Sequence, residues 1–423
     1  MAVPPMKASI VTGCVVPRDA ISNIARQQAD ALGRPATVGA TQLQVRLFAM
    51  GGSVADSRLA IVPNAASLAA DAHFQTSDVV VFHFGIRYPA FDAIQTAPRT
   101  ARVLAYYHGI TPPALCDGEG RSATSDSYRQ ANHLLAADAV LVTSKHLVPE
   151  LRAFGIEEAK IVRVPPAVAF DPVPRTPRLV EGGLRFLYVG RFVPAKGVLD
   201  LIEAFQSVAA YQPDATLDLA GSLIFSDESY LRKVERATAP LGDRVRFHFD
   251  RPAPELAALF ASADVCVSPS YHEGFGVPIV EALAAGCYVI CSDAGASAET
   301  ANGLGLVYGA GRAGELAECF RRASDAWAND ERPTAGGTLS PAEWRAAAAE
   351  YAATFTLAAH EARFRTACLA GLRPLAPSVR AFFAATQDRV MRETRDAAPA
   401  TRLGVYDKFW QGLAAAPAAR RAA

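Results

Sequence analysis

Short apolar runs recur along this chain with helical patterns between them, and that alternation admits few architectures. Runs at residues 8–16, 44–49, 79–84, 102–107, 139–143 and 160–164 occupy the first half, and runs at 186–189, 216–219, 245–249, 264–267, 288–292 and 305–307 the second. Several are continuously hydrophobic rather than alternating, as expected of parallel strands covered on both faces. Residues 19–31, 128–137 and 147–154 read as helices between strands. Strands and helices in this order predict parallel sheets flanked by helices. Between the two series lies Asp171-Pro172-Val173-Pro174-Arg175-Thr176-Pro177, a proline-rich stretch that reads as a linker. A length of 423 residues also exceeds one ordinary core. The expected fold class is α/β: two Rossmann-like, doubly wound parallel-sheet domains, residues 1–172 and 183–345, facing across a cleft. A crossover helix and helical tail, 346–423, complete the chain. Ligands of such sheets sit at the carboxyl ends of the strands.

Charge and composition exclude several classes. Lys+Arg and Asp+Glu both number 42, so no global charge recruits nucleic acid or a membrane surface. The seven cysteines are scattered, which reads as reduced thiols in a cytoplasmic protein rather than a disulfide frame. The apolar stretch at 8–16 is interrupted by Thr12 and Gly13 and reads as a first strand, not a signal peptide. No run approaches the roughly 20 apolar residues of a membrane span. The chain contains no Asp-x-Asp, no zinc motif at His272-Glu273 (Gly276 stands where a second histidine is needed), and no complete dinucleotide fingerprint at Gly303-Leu304-Gly305. No metal and no cofactor are expected.

Two segments carry chemistry. In Ser268 to Ser292, Glu273 and Glu281 bracket Gly274-Phe275-Gly276, and Val277-Pro278 opens an Ala- and Leu-rich helix that stops at Gly286. Proline suits the first turn of a helix, and strand–glycine loop–helix aims backbone amides and a positive helix end at an anion. Carboxylates do not bind phosphate, so the glutamates must address something beside it, such as sugar hydroxyls. Taken by its spacing, the pair fits a solvated strand–helix turn equally well. In Gly183 to Phe205, a strand ends at Gly190-Arg191 and Lys196-Gly197 precedes an amphipathic helix. A guanidinium and an ammonium so placed can converge on one diphosphate.

Together these segments resemble the retaining GT-B glycosyltransferases of family 4, the glycosyl transferases group 1. The resemblance covers about residues 1–370 and is most specific from Gly183 to Val307. It implies that Glu281 holds the ribose of a nucleotide sugar. It assigns the diphosphate to Gly190, Arg191 and Lys196. Glu273, with the backbone of Gly274, Phe275, Gly276 and Val277, would face the transferred sugar and its phosphate. His108, in Tyr106-Tyr107-His108-Gly109, looks like the family's histidine loop, which makes it a contact to the transferred sugar. The loop Pro17-Arg18-Asp19-Ala20-Ile21-Ser22-Asn23 lacks the paired glycines many relatives carry. Asp19 and Ser22 there either line the acceptor pocket or cap the following helix. His83 and Ser144, both at strand ends, line the cleft or are simply buried. The catalytic set implied is His108, Arg191, Lys196 and Glu273.

The activity implied is metal-independent, retaining transfer of a hexose from a nucleotide-diphosphate sugar to a hydroxyl of a glycan or lipid-linked acceptor, in polysaccharide or lipopolysaccharide assembly. Two alternatives stay open: another GT-B nucleotide-sugar enzyme (an epimerase, or one resembling a phosphorylase), or a silent scaffold subunit that keeps the fold. In the tail, Val379, Phe382, Phe383 and Val390 form an apolar stripe beside Arg380, Arg389 and Arg392. Such a helix packs on the first domain or a partner subunit, or touches anionic lipid at the inner face of the membrane.

Overall fold

The computed structural model describes residues 6–34, 43–116, 118–168 and 183–370. The first sheet contains β1 (Lys7–Val15), β2 (Gln44–Gly52), β3 (Leu59–Ile61), β4 (Val79–Phe84), β5 (Arg102–Tyr107), β6 (Ala139–Val142) and β7 (Ile161–Arg163), in the order β3-β2-β1-β4-β5-β6-β7. The second contains β8 (Arg185–Val189), β9 (Thr216–Gly221), β10 (Val245–Phe249), β11 (Val265–Ser268), β12 (Tyr288–Ser292) and β13 (Gly305–Tyr308), in the order β10-β9-β8-β11-β12-β13. Every pairing in both sheets is parallel. The strand order reverses between β1 and β4 and again between β8 and β11, and each reversal opens a crevice at the strands' carboxyl ends.

Continuous burial explains the continuous apolar runs. All six residues of β4 are buried, as are all of β11 and β12. One face of the first sheet buries Phe82, Phe84, Phe91 and Tyr107, and the other buries Ile10, Leu47, Leu104 and Tyr106. A separate core, with Phe186, Phe205, Ile290, Phe320 and Trp344, fills the second domain.

The structure departs from the sequence expectation in three places. Strand β3 and a small antiparallel hairpin of β14 (Arg332–Thr334) and β15 (Gly337–Leu339) were not anticipated, because three residues carry no readable period. The helix expected at 128–137 instead runs Gly118–Gln130 and tightens into a 3₁₀ turn, Ala131–Ala136. Its sequence, GEGRSATSDSYRQ, buries only Thr124, Ser127 and Gln130, so no apolar stripe marks it. The expected crossover helix is two helices, Pro341–Ala352 and Leu357–Leu369, joined through a 3₁₀ turn at Ala353–Phe355. Ser340 and Glu343 form a capping box on the first, and Thr356 caps the second.

That last helix crosses back to the first domain, as expected. Phe364, Ala367 and Cys368 join the core face of Ile10 and Leu104, and Arg102 Nε donates to the Ala367 carbonyl at 3.0 Å. The proline-rich linker and the 379–390 stripe lie outside the described residues. All seven cysteines are free thiols. Among the described residues no helix is long and apolar enough to cross a membrane.

Candidate active site at the domain junction

The basic half of the site grows from the end of β8. Gly190 follows the strand where a side chain would collide with the Tyr188 hydroxyl, 2.6 Å from a Cβ, and that hydroxyl donates to the Arg191 carbonyl at 2.6 Å. Arg191 is exposed, and its guanidinium makes no hydrogen bond or ion pair among the described residues. The next turn, Pro194–Lys196, ends at Gly197, whose φ of +62° and whose approach to the Pro269 carbonyl (2.0 Å from a Cβ) both demand glycine. This contact brings the β8 loop against the end of β11. Lys196 Nζ then donates to Glu273 Oε1 at 2.6 Å, and Ser270 Oγ to the same oxygen at 2.8 Å. Burial pushes the Glu273 carboxyl up, but the Lys196 ammonium and the Ser270 hydroxyl outweigh it and hold it below the usual range. Read separately in the sequence, Lys196 and Glu273 are partners in the fold.

The glycine loop after Glu273 is gripped from several sides. The Gly274 carbonyl accepts from Thr143 Oγ1 and Ser144 Oγ, both at 2.8 Å and both from the first domain. A Cβ on Gly274 would lie 2.1 Å from the His108 carbonyl. The Phe275 carbonyl accepts from Thr300 Oγ1 at 2.5 Å, and the Phe275 ring packs on Phe355 at 5.3 Å between centroids. Gly276, at φ +93°, turns the chain into the helix Val277–Ala284, with Pro278 at its second position and no acidic residue in its first turn. The first amides of a helix have no partners within it, so this end carries unneutralised positive character. Glu281 lies one turn further on. It is half-buried, makes no hydrogen bond or ion pair among the described residues, and burial pushes its carboxyl up to about 7.

On the first domain, β5 delivers His108, and Gly109 at φ +86° turns away from it. His108 Nε2 lies 3.0 Å from His83 Nδ1, and the two rings stack at 5.2 Å. Burial pushes His108 down to about 3 and His83 well below its ordinary value, so both are neutral near pH 7. Across the junction His272 Nε2 stands 3.5 Å from where a Gly109 Cβ would be, and burial pushes His272 down to about 4. Asp19 and Ser22 serve the helix Ala20–Gly33. The Asp19 carboxylate accepts from Ser22 N at 2.8 Å and from Ser22 Oγ at 2.7 Å, and Ser22 is fully buried.

Several residues at the junction gave no sequence signal. Glu299 accepts from the backbone amides of Lys145 and His146, each at 3.0 Å, and pairs with Arg163 at 3.3 Å. Arg18, held at φ +59°, reaches Asp250 at 3.1 Å. Thr143, Ser270, Arg18 and Glu299 belong to no spacing motif, because their partners come from distant parts of the chain. Among the described residues no group of three or more His, Cys, Asp or Glu is placed to hold a metal ion.

Comparison with known proteins shows what this chain is similar to. Residues 171–335 match the family model described as Glycosyl transferases group 1. That match lies on the second domain. The chain is 31% identical over 168 residues to the O-antigen chain mannosyltransferase B of Escherichia coli, a match covering 37% of this chain and 43% of that protein. It is 34% identical over 170 residues to a D-inositol 3-phosphate glycosyltransferase of Pseudarthrobacter chlorophenolicus, covering 38% of this chain and 40% of that protein. The chain thus spans less than half the length of these curated relatives. Solved structures match across both domains. A lipopolysaccharide outer core galactosyltransferase, WaaB, superposes with a TM-score of 0.63 at 17% identity, covering 87% of this chain and all of that one. A glycosyltransferase from Rickettsia africae superposes with a TM-score of 0.64 at 19% identity, covering 87% and 99%. The two parallel-sheet domains are therefore the GT-B fold.

Proposed function

We propose that the chain is a retaining glycosyltransferase that moves a hexose from a nucleotide-diphosphate sugar to a hydroxyl of a glycan or lipid-linked acceptor, without a catalytic metal. The second domain binds the donor and the first the acceptor. The observation that carries this reading is the Lys196–Glu273 pair at the β8/β11 switch point, between the loop that carries Arg191 and the glycine-led start of the helix Val277–Ala284. As the glycosidic bond breaks, the leaving diphosphate gains negative charge. In this reading Arg191, Lys196 and the helix amides are the fixed donors that stabilise it, each worth on the order of 3 kcal/mol in a dry site. The Glu281 carboxyl, free of partners, accepts from the ribose hydroxyls. Glu273, tied to Lys196, is not placed as a free nucleophile and serves to orient that ammonium against sugar and phosphate. The retained configuration follows from the family likeness, as does a setting in polysaccharide or lipopolysaccharide assembly.

Turnover with a panel of nucleotide sugars tests this. Arg191→Ala and Lys196→Ala should each lower donor turnover by about 100-fold, and the product's anomeric configuration, read by NMR, should match the donor's. Undiminished turnover in both variants overturns the site assignment. A product still attached to nucleotide points to an epimerase, phosphate dependence to a phosphorylase, and donor binding with no sugar loss to a scaffold.

A further inference from the structure

His83 and His108 contribute four ring nitrogens, and the fold treats them differently. Two of them, His83 Nδ1 and His108 Nε2, face each other at 3.0 Å. A third, His83 Nε2, is fully buried and meets no hydrogen-bonding group among the described residues. The fourth, His108 Nδ1, is not among the buried atoms that lack a partner; His108 is half-buried at the domain junction, its carbonyl against Gly274 and the next residue beside His272. The stack is held rigidly: Tyr106 packs on His83 at 5.4 Å between centroids, and the Tyr88 hydroxyl donates to the His83 carbonyl at 2.8 Å.

Proton placement follows from this inequality. A neutral imidazole carries one N–H and one lone pair. A buried N–H with no acceptor is rarer and costlier than a buried lone pair, so the proton of His83 resides on Nδ1 rather than on the enclosed Nε2. His83 Nδ1–H therefore donates to His108 Nε2. That nitrogen must present its lone pair, which leaves the His108 proton on Nδ1, the atom on the open side.

We propose that His83 is a positioning residue that fixes His108 as the Nδ1–H tautomer, so that His108 meets its ligand in the cleft as a hydrogen-bond donor. Resting on the reading of this cleft as a glycosyltransferase site, the inference names what His108 selects: an oxygen with a free lone pair on the transferred sugar. It also removes His108 Nδ1 from consideration as a base. Depression of both imidazoles by burial agrees with this, since a neutral pair can hold only one proton between the facing nitrogens.

Nitrogen-15 NMR of the histidine-labelled protein reads the tautomers directly. At pH 7 both residues should show a protonated Nδ1 and an unprotonated Nε2, with assignments made by loss of signal in His83→Asn and His108→Asn. Asparagine places an amide donor where His83 Nδ1 stood, so His83→Asn should keep His108 in the Nδ1–H form and keep turnover. His83→Leu should release His108 to mixed tautomers and lower kcat/KM about tenfold, the loss of one hydrogen bond. A protonated His108 Nε2 in the wild-type protein, or an unchanged His108 tautomer in His83→Leu, overturns the proposal. The predicted tautomers in a wild-type protein without transferase activity would uphold it and count against the glycosyltransferase reading alone.

Discussion

Single charges carry much of this account, and two carboxyls shifted in opposite directions show why. Glu273 is held low by Lys196 and Ser270 despite its burial, so its ion pair stabilises the fold above its unfolded value near 4.5 and is lost as pH falls through the lower folded value. Removing one partner of such a buried pair typically costs about 3 kcal/mol. Lys196→Ala should therefore unfold in less urea at pH 7, and the difference from wild type should shrink as the pH is brought well below 4.5. Glu281 is the reverse case. Its carboxyl is raised to about 7, so the ligand-free fold favours the protonated form, and that contribution is lost as pH rises from 4.5 through 7. If ribose hydroxyls donate to the carboxylate, donor binding at pH 7 should release about half a proton. Calorimetry in buffers of different ionisation enthalpy measures this, and Glu281→Gln should abolish it. The residue types at these positions were legible in the sequence, Arg191, Lys196 and Glu273 by their place beside glycines and Glu281 by its spacing from Glu273. The Lys196–Glu273 bond and the His83–His108 bond were not, since each joins segments whose spacing in the chain says nothing of their meeting.

Loops, more than strands, set the geometry between domains. The six residues of β4 could be read without error because burial on both faces leaves an apolar run interrupted only by His83. Helix Gly118–Gln130 was misplaced because its burial is polar, and β3 escaped because it is three residues long. The clasp of Glu299 on the amides of Lys145 and His146 was likewise invisible, since backbone donors leave no trace in a sequence. Together with Thr143 and Ser144 on the Gly274 carbonyl, it ties the Gly274 loop to the first domain. Glu299→Ala should loosen that junction, raising the radius of gyration in small-angle scattering and lowering turnover while leaving the helix content by circular dichroism unchanged. Gly274→Ala should do the same more severely, because its Cβ would collide with the His108 carbonyl.

At the scale of the molecule, the last described helix makes the two domains one piece. Phe364 follows the second domain in sequence yet is completely buried in the core of the first. Phe364→Ala should cost roughly 3–5 kcal/mol, appearing in calorimetry as a lowered transition for the first domain. Two sheets, their parallel order and the return of this helix were all expected from the alternation of strand and helix patterns. The break at Ala353–Phe355 was not, because its three residues include no glycine or proline to mark it. The central claim is that the cleft between these sheets holds a nucleotide sugar on Arg191 and Lys196. Thermal stabilisation by a panel of nucleotide diphosphates and their sugars, with Lys196→Ala beside the wild-type protein, tests it most directly. A clear rise in melting temperature with one base, lost in the variant, is the expected result. A rise of equal size in Lys196→Ala, or none in the wild-type protein with any base, would contradict it.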